Sequence, residues 1–528
     1  MARGIKEAIK AKMVLLQALI TSHTLAGVLS SIVLTFLICV VEEWLRQQKL
    51  RRQLIDAPVI NLKGGNYDAA SREYKENLRG LLKTGYTQFR DGVYQLWRPE
   101  GYVTVISRQF IDELKGLPTE TLDFHAAVQT NFIGKYEWVT LGSDLLARTI
   151  LEQLTQQTSA LLPVLADEIT RTFDEEMPEC KDFTPVEVYS CLKRIAAILT
   201  GRVFVGAPMN RNEKWIETSM DFTHDVYVGG SKLRKWHYLL RPIVARFLIP
   251  EIRKVWKQQD IARRFLVPIM EERFEAQNQS GYEKPNDLIQ WLMDNAAKEE
   301  NPTSFARLAE LQLLASFAAI HTTALTCTHV LFDLAARPEY IEPLRQELDA
   351  VEARFGTLHE KRALSQLSKM DSFMKESQRL NPPGLLTFPR LVKKPITLSN
   401  GTLLPAGTQL IVPAGYISLD DEVWGPRADE FQGFRFAELR GARADDGHKH
   451  QFISTSPNAM HFGHGRRSCP GRFFAGHELK SILAHLLRTY DFTLAGGPGA
   501  GRPVNKEEMD LINPDDEAQL LFRRRKLV

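Results

Sequence analysis

Apolar and polar positions are arranged in three different ways along these 528 residues. From Met13 to Val41 there is no Asp, Glu, Lys or Arg, and Leu25 to Val41 is almost wholly apolar. That run is close to the roughly 20 residues a helix needs to cross a bilayer, so it predicts one N-terminal transmembrane helix. A cleaved signal would carry a shorter apolar core and a small-residue cleavage site. Basic residues stand on both sides, Arg3, Lys6, Lys10 and Lys12 before and Arg46, Lys49, Arg51 and Arg52 after, so charge does not orient the helix. The Pro-bearing stretch Leu54 to Asn61 reads as a hinge. It divides the chain into residues 1–53, an anchor with its flanks, and 54–528, one folded body.

Beyond the hinge the period changes. Gly92 to Trp97 and Tyr102 to Ser107 are short β-like runs separated by Pro99-Glu-Gly, a hairpin signature. From Ile111 to about Arg390 apolar residues recur every three or four positions, within Leu145–Phe173, Val186–Val205, Pro250–Gln277 and Asn286–Ala296. The longest candidate runs from Ser304, an N-cap residue type, to Ala336, where Arg337-Pro338 stops it. At 1.5 Å per residue it would reach ~50 Å, the width of a domain. Being apolar on nearly every face it belongs in the interior, where His321-Thr322-Thr323 is a polar interruption. Pro395 to Val412 returns to strand character around an Asn400-Gly401 turn. Gly441 to Ser456 is polar and aperiodic, and reads as a surface loop.

Composition narrows the function classes. Hydrophobic residues at 44% and charged residues at 25% are those of an ordinary globular protein. A net charge of +3 gives no basic surface for nucleic acid. The five cysteines, Cys39, Cys180, Cys191, Cys327 and Cys469, are scattered and form no C-x-x-C pair, against a disulfide framework or a zinc ribbon. A reducing, cytosol-facing body fits best.

One of those cysteines carries chemistry. Phe462-Gly-His-Gly-Arg-Arg-Ser-Cys-Pro-Gly471 is a Gly-rich loop that delivers Cys469 to the start of the helical run after Arg472. Backbone N–H groups at a helix start, with Arg466 and Arg467 nearby, would favour a thiolate. Gly465 and Gly471 would let the backbone approach a flat macrocycle, and Phe462 would pack against the loop. A zinc site from His461, His464 and Cys469 lacks a fourth ligand and a usual spacing.

Phe462, Gly465, Arg467, Cys469 and Gly471 together match F-x-x-G-x-R-x-C-x-G, so the chain resembles the cytochrome P450 family over nearly everything after the hinge. The resemblance implies a mainly α fold with small β-sheets and one haem b, with Cys469 as axial thiolate and Arg467 on a propionate. Glu376-Ser-Gln-Arg379 and Arg435 resemble the family's structural E-x-x-R pair and its partner arginine. Arg148 and Arg390 stand where relatives place further propionate arginines, although Asp144 occupies the position of a usual tryptophan. Pro383 to Phe388 would line the substrate pocket.

Ala318-Ala-Ile-His-Thr-Thr323 resembles the family's A/G-G-x-D/E-T-T stretch, with Ala319 for glycine and His321 for the acid. Thr322 would face bound oxygen. His321 is either a satisfied core histidine or part of a proton route. The Ala-Ile-His-Thr-Thr run is similar to that of fungal members acting on terpenoid or indole-diterpene secondary metabolites. The implied enzyme is a monooxygenase of the endoplasmic reticulum membrane that takes a lipophilic small molecule. Electrons would come from a separate NADPH-cytochrome P450 reductase, docking near Arg466, Arg472 and Lys480. A reductase-independent haem-thiolate isomerase or dehydratase, a polyketide or alkaloid substrate, and a non-catalytic haem sensor stay open.

Overall fold

The computed structural model describes residues 40–41, 44, 50, 53–132, 136, 143–237, 239–441, 449–497 and 499–526. The chain divides into two units, Met1–Ile55 and Asp56–Val528. In the first, Val40, Val41 and Trp44 are helical and exposed. The remainder of the charge-free segment lies outside the described residues.

The second unit begins before the end of the expected hinge. Gln95 N donates to Pro58 O at 2.8 Å and Ile60 N to Gln95 O at 3.0 Å. Asn61 Oδ1 accepts from Trp97 N at 2.8 Å, and its amide reaches Trp97 O at 2.8 Å and Ala70 O at 3.0 Å. Residues from Pro58 onward are thus pinned to the first strand, because extended backbone beside a sheet edge finds its hydrogen-bond partners there.

Helices form most of this unit. The ones that build the site are α1 (Thr155–Glu176), α2 (Val188–Phe204), α3 (Glu213–Arg234), α4 (Pro250–Ala276), α5 (Phe305–Ala336), α6 (Ser368–Leu380) and α7 (Arg472–Thr489). α5 is the predicted interior helix, and the Ser304 hydroxyl caps it by accepting from Arg307 N at 3.3 Å. It packs against α2, α3 and α4 and is buried over most of its length, so its apolar length reflects the core of this body. The expected Leu145–Phe173 helix begins as Asp144–Thr149, passes through a π-turn at Ile150–Leu154 and continues as α1.

A five-stranded sheet lies against the helices, with strands β1 (Val93–Arg98), β2 (Gly101–Ile106), β3 (Leu122–Asp123), β4 (Thr387–Val392) and β5 (Gln409–Val412). The spatial order is β1-β2-β5-β4-β3. β2 and β5 pair in parallel, Thr104 with Leu410, and the other pairs are antiparallel. Alternation along β4 buries Phe388, Arg390 and Val392 on one side. The expected Asn400-Gly401 turn joins Ile396–Thr397 to Leu403–Leu404, with Gly401 at φ +86°. In a second, antiparallel sheet Gln519–Arg524 pairs with Thr184–Glu187 on one side and Tyr490–Leu494 on the other.

Candidate functional site

Cys469 sits between a tight loop and the first turn of α7. The loop folds back on itself: Cys469 N donates to Phe462 O at 2.7 Å, and Phe462 packs edge-on against Phe452, centroids 5.2 Å apart. Gly465 has φ +75°, and a Cβ there would lie 2.5 Å from Lys115 Cβ. Its missing side chain therefore admits Lys115. Gly471 has ordinary φ, and its nearest neighbour to a Cβ is Ile150 Cγ2 at 3.8 Å, an ordinary contact distance.

The thiol faces donors. Gly471 N–H and Arg472 N–H both bond the sulfur, and the Arg472 guanidinium adds positive charge. Burial nevertheless outweighs them and pushes the thiol above its ordinary value. The supporting cation is Arg472, not Arg466 or Arg467, because Arg472 Nη1 is held on Cys469 O at 2.8 Å. A coordinating metal ion deprotonates a thiol outright, so two N–H groups and a guanidinium suit the anion that then forms.

Arg390 and Arg467 converge. Arg390 is 5% exposed, packs on the rings of Phe388 and Phe124, and has no carboxylate partner among the described residues. Burial first, then the Arg467 charge, lower its pKa to about 10. Arg467 reaches Asp144 Oδ1 at 2.5 Å and Thr119 Oγ1 at 3.0 Å, and His125 Nε2 lies 3.2 Å from the same Asp144 oxygen. A buried guanidinium without an acid, beside a second one, fits the carboxylate edge of a haem, as the N–H groups around Cys469 fit its axial thiolate. Arg148 does not join them. It is half exposed, its ion pair is to Glu299 at 3.5 Å, and no hydrogen bond or ion pair among the described residues links it to the cysteine loop.

On α5, Ala318 and Thr322 are exposed within an otherwise buried stretch, one turn apart on one face. That stripe is the open side of the interior helix. Thr322 Oγ1 donates to Ala318 O at 2.8 Å, so its proton is spent on its own helix and its lone pairs remain to accept. His321 lies between helices. Nε2 is 2.9 Å from Met220 O, which only accepts, so the ring carries its proton there, and Nδ1 accepts from Tyr189 Oη at 3.1 Å. Burial lowers its pKa. Of its two sequence readings, the geometry matches the satisfied core histidine, since neither nitrogen is left for a relay.

Glu376, Arg379 and Arg435 meet at the base of the cysteine side. Arg379 Nε and Nη2 bond the two Glu376 oxygens at 2.8 Å each, and Arg435 Nε reaches Oε1 at 3.2 Å. Arg379 also donates to the carbonyls of Ser418, Ala428 and Glu430, and Arg435 to those of Trp424 and Glu430. All three side chains are buried. Lys480 is buried too, bonded to Asp371 at 2.5 Å, which removes it from any docking face; Arg466 is exposed. His461 and His464 turn to Ser418 and Thr455 and do not converge on the cysteine. Leu385 belongs to the core of the five-stranded sheet, while Leu386 and Thr387 are half-buried.

Sequence reasoning missed Asp144 as the Arg467 partner and Glu478 as a buried acid of α7. Glu478 was legible in principle: Leu479, Ile482 and Leu486 mark the inward stripe of that helix, and position 478, one turn before Ile482, falls on it.

Set beside known proteins, residues 144–522 match the family model described as Cytochrome P450. The chain belongs to the cytochrome P450 family, whose members hold a haem through a cysteine thiolate. It is 40% identical over 457 residues to cytochrome P450 monooxygenase AN1598 of Emericella nidulans, covering 86% of this chain and 84% of the relative. It is 37% identical to cytochrome P450 monooxygenase braC of Annulohypoxylon truncatum, over 93% of this chain and 96% of that one. Against cytochrome P450 monooxygenase paxP of Penicillium paxilli the identity is 38%, over 84% and 85%. The protein is a haem-thiolate monooxygenase.

Proposed function

We propose that Cys469 is the axial thiolate and that Arg390 and Arg467 hold the propionates of a haem b that oxidises a lipophilic small molecule of terpenoid type. The observation that carries the reading is the Cys469 thiol at the start of α7, bonded by Gly471 and Arg472 N–H within a loop that holds all five spaced family residues. When bound, the haem would supply activation of dioxygen, one oxygen atom of which enters a substrate C–H bond while the other leaves as water.

The chain's own residues do the rest. Gly471 and Arg472 N–H groups moderate the charge on sulfur, as neighbours of a metal ligand do. Arg390, already desolvated, loses no hydration when an anion meets it. Thr322, with its proton on Ala318 O, accepts a hydrogen bond from water and so orients that water's second proton toward the reacting centre. His321 fixes α5 against α3 through Met220 and α2 through Tyr189, keeping the open stripe in place.

The substrate class rests on the Ala-Ile-His-Thr-Thr run and on the fungal relatives. The proposed electron donor is an NADPH-cytochrome P450 reductase that meets the face carrying Arg466. Residues 1–53 anchor the enzyme as a single-pass protein of the endoplasmic reticulum membrane with residues 54–528 in the cytosol, a reading supported by the uncharged run from Met13 to Val41.

The test is to express the chain with a reductase, feed candidate terpenoids and identify oxidised products, beside Cys469→Ser. Wild type should give the strongly red-shifted absorbance of the reduced carbon-monoxide complex, and the serine variant should not. A serine variant that keeps that band refutes the ligand assignment.

A further inference from the structure

The open stripe of α5 is walled on one side by α3. Tyr227 of α3 stacks on Phe317, the residue before Ala318 of the stripe, with centroids 6.1 Å apart and planes at 14°. Tyr227 is 38% exposed, yet burial, then the Asp510 charge, push its phenol up to about 12. A ring that is open on one side and nonetheless desolvated faces a space inside the protein rather than bulk water. Asp510 is half-buried and desolvated in the same way, and its charge is the one that acts most on Tyr227.

Asp510 stands at the turn of a hairpin, between strands Lys506–Glu508 and Leu511–Asn513. The hairpin is tied to the chain just before β4: Leu385 N donates to Asp510 O at 2.7 Å, and Gly384 pairs with Leu511. Gly384 puts no side chain over the carboxyl, where a Cβ would stand 3.8 Å from Oδ2. Arg98 and Arg234 lie within the field of Asp510, but Glu100 draws both, with Arg234 Nε 3.0 Å from Oε1 and Arg98 Nε 4.0 Å from Oε2. Arg98 also bonds Gln409, and Arg234 the Asn131 carbonyl. The other titratable groups that feel Asp510 are the phenols of Tyr74 and Tyr227. Among the described residues, the hydrogen bond that reaches the Asp510 carboxyl comes from its own N–H.

A carboxylate has about four lone-pair sites and no proton to give, so most of the acceptor capacity of Asp510 is left for whatever fills the space. Apolar walls with a single polar group aimed between them are how a cavity orients a lipophilic ligand. Arg98 and Arg234 in the same field oppose a further cation, which makes the matching donor a neutral hydroxyl rather than an ammonium.

We propose that Asp510 selects the substrate by accepting a hydrogen bond from a hydroxyl on a terpenoid whose apolar body lies against Phe317, Ala318 and Tyr227. This deepens the terpenoid-oxidation reading and rests on it. Held by one hydroxyl at the hairpin turn, the terpenoid has its orientation fixed relative to the stripe of Ala318 and Thr322. Asp510 sets specificity and takes no part in bond making.

The test measures binding by equilibrium dialysis to the full-length, haem-loaded protein, in wild type, Asp510→Asn and Asp510→Ala. The probes are farnesol, its O-methyl ether and farnesylamine. The ether keeps the chain and the oxygen but has no proton to donate. Wild type should bind farnesol on the order of tenfold to a hundredfold more tightly than the ether, the worth of a hydrogen bond to a charged group, and the amine no more tightly than farnesol. Asp510→Ala should bind farnesol and the ether alike, with the loss confined to farnesol, whereas a merely structural role would weaken both. Asp510→Asn keeps an acceptor without the charge and should retain a preference of about fivefold. The proposal is overturned if wild type does not bind farnesol, binds it no better than the ether or prefers the amine, or if Asp510→Ala keeps the wild-type preference. If Asp510→Ala does not fold, the isosteric Asp510→Asn decides alone, and an unchanged preference there overturns the proposal. Feeding candidate terpenoids separates this from the reading beneath it: a protein that discriminates the probes but oxidises no terpenoid keeps the Asp510 site and loses that reading, and one that oxidises terpenoids without discriminating the probes does the reverse.

Discussion

Arg379→Lys tests whether the Glu376–Arg379–Arg435 cluster holds the cysteine side of the fold through geometry or merely through charge. The substitution keeps the positive charge but replaces a planar fork of donors by a single point. Arg379 now bridges both Glu376 oxygens at 2.8 Å and reaches the carbonyls of Ser418, Ala428 and Glu430, on two sides of its guanidinium. An ammonium can follow one side only, which strands two or three buried acceptors at roughly 1–3 kcal/mol each. The expected loss is ~3–5 kcal/mol, the range for breaking a buried ion pair, against a domain stability of about 5–15 kcal/mol. Urea unfolding of the haem-free protein gives the loss directly. Hydrogen exchange should localise it to the Ser418–Arg435 segment, whose carbonyls the arginine holds. A loss under about 1 kcal/mol, with unchanged protection in that segment, would falsify the geometric account.

Arg390→Met should separate the loaded from the empty protein: the haem-free form should lose no stability, because a buried guanidinium without an acid is removed, while haem release should speed up about tenfold, the equivalent of one charge-assisted hydrogen bond. Equal effects on both forms would show Arg390 to be structural. Thr322→Ala should raise peroxide per NADPH, whereas His321→Phe should cost about 1–3 kcal/mol and leave coupling alone, because its nitrogens bond Met220 and Tyr189. The sign at low pH follows from the lowered His321 value: native imidazole resists protonation, so its contribution is present above the ordinary value near 6.5 and is lost as pH falls below it. His321→Phe should therefore flatten the acid side of the stability profile, and a steeper profile contradicts this. Deleting residues 1–53 should move the protein from membranes to the soluble fraction with its haem content intact; haem-free but folded product would mean the deletion reaches into the catalytic unit.

The parts of the fold legible in the sequence are those set by local chemistry. Ser304 accepts from Arg307 N because a hydroxyl before an apolar run is an N-cap wherever it occurs, and Arg337-Pro338 ends α5 for equally local reasons. The β1–β2 hairpin follows from Pro99-Glu-Gly in the same way. What joins distant segments was not legible. The parallel pairing of β2 with β5 sets Thr104 beside Leu410, and nothing in either strand names the other. The sheet made from Thr184–Glu187 and two C-terminal strands has the same origin, as does the pinning of Pro58 to Asn61 on β1, where a short proline-bearing stretch reads as a hinge until a sheet edge lies beside it.

The site divides along the same line, and the division explains its errors. The cysteine loop is a short-range object: a fixed spacing of Phe462, Gly465, Arg467, Cys469 and Gly471 suffices to wrap the thiol in N–H groups, so one segment of sequence describes it. The charges around it are long-range objects. Arg467 meets Asp144 across more than 300 residues, Arg148 turns to Glu299, and Lys480, a plausible surface cation on a helix, is drawn inward by Asp371. Each side chain's charge is known from its letter, but whether that charge is a docking feature, an ion pair or an unpaired acid depends on what the neighbouring helix presents. Glu478 is the clearest case. Facing an arginine it would be another buried pair; facing Thr200 and Thr323 it is an acid whose charged form burial disfavours.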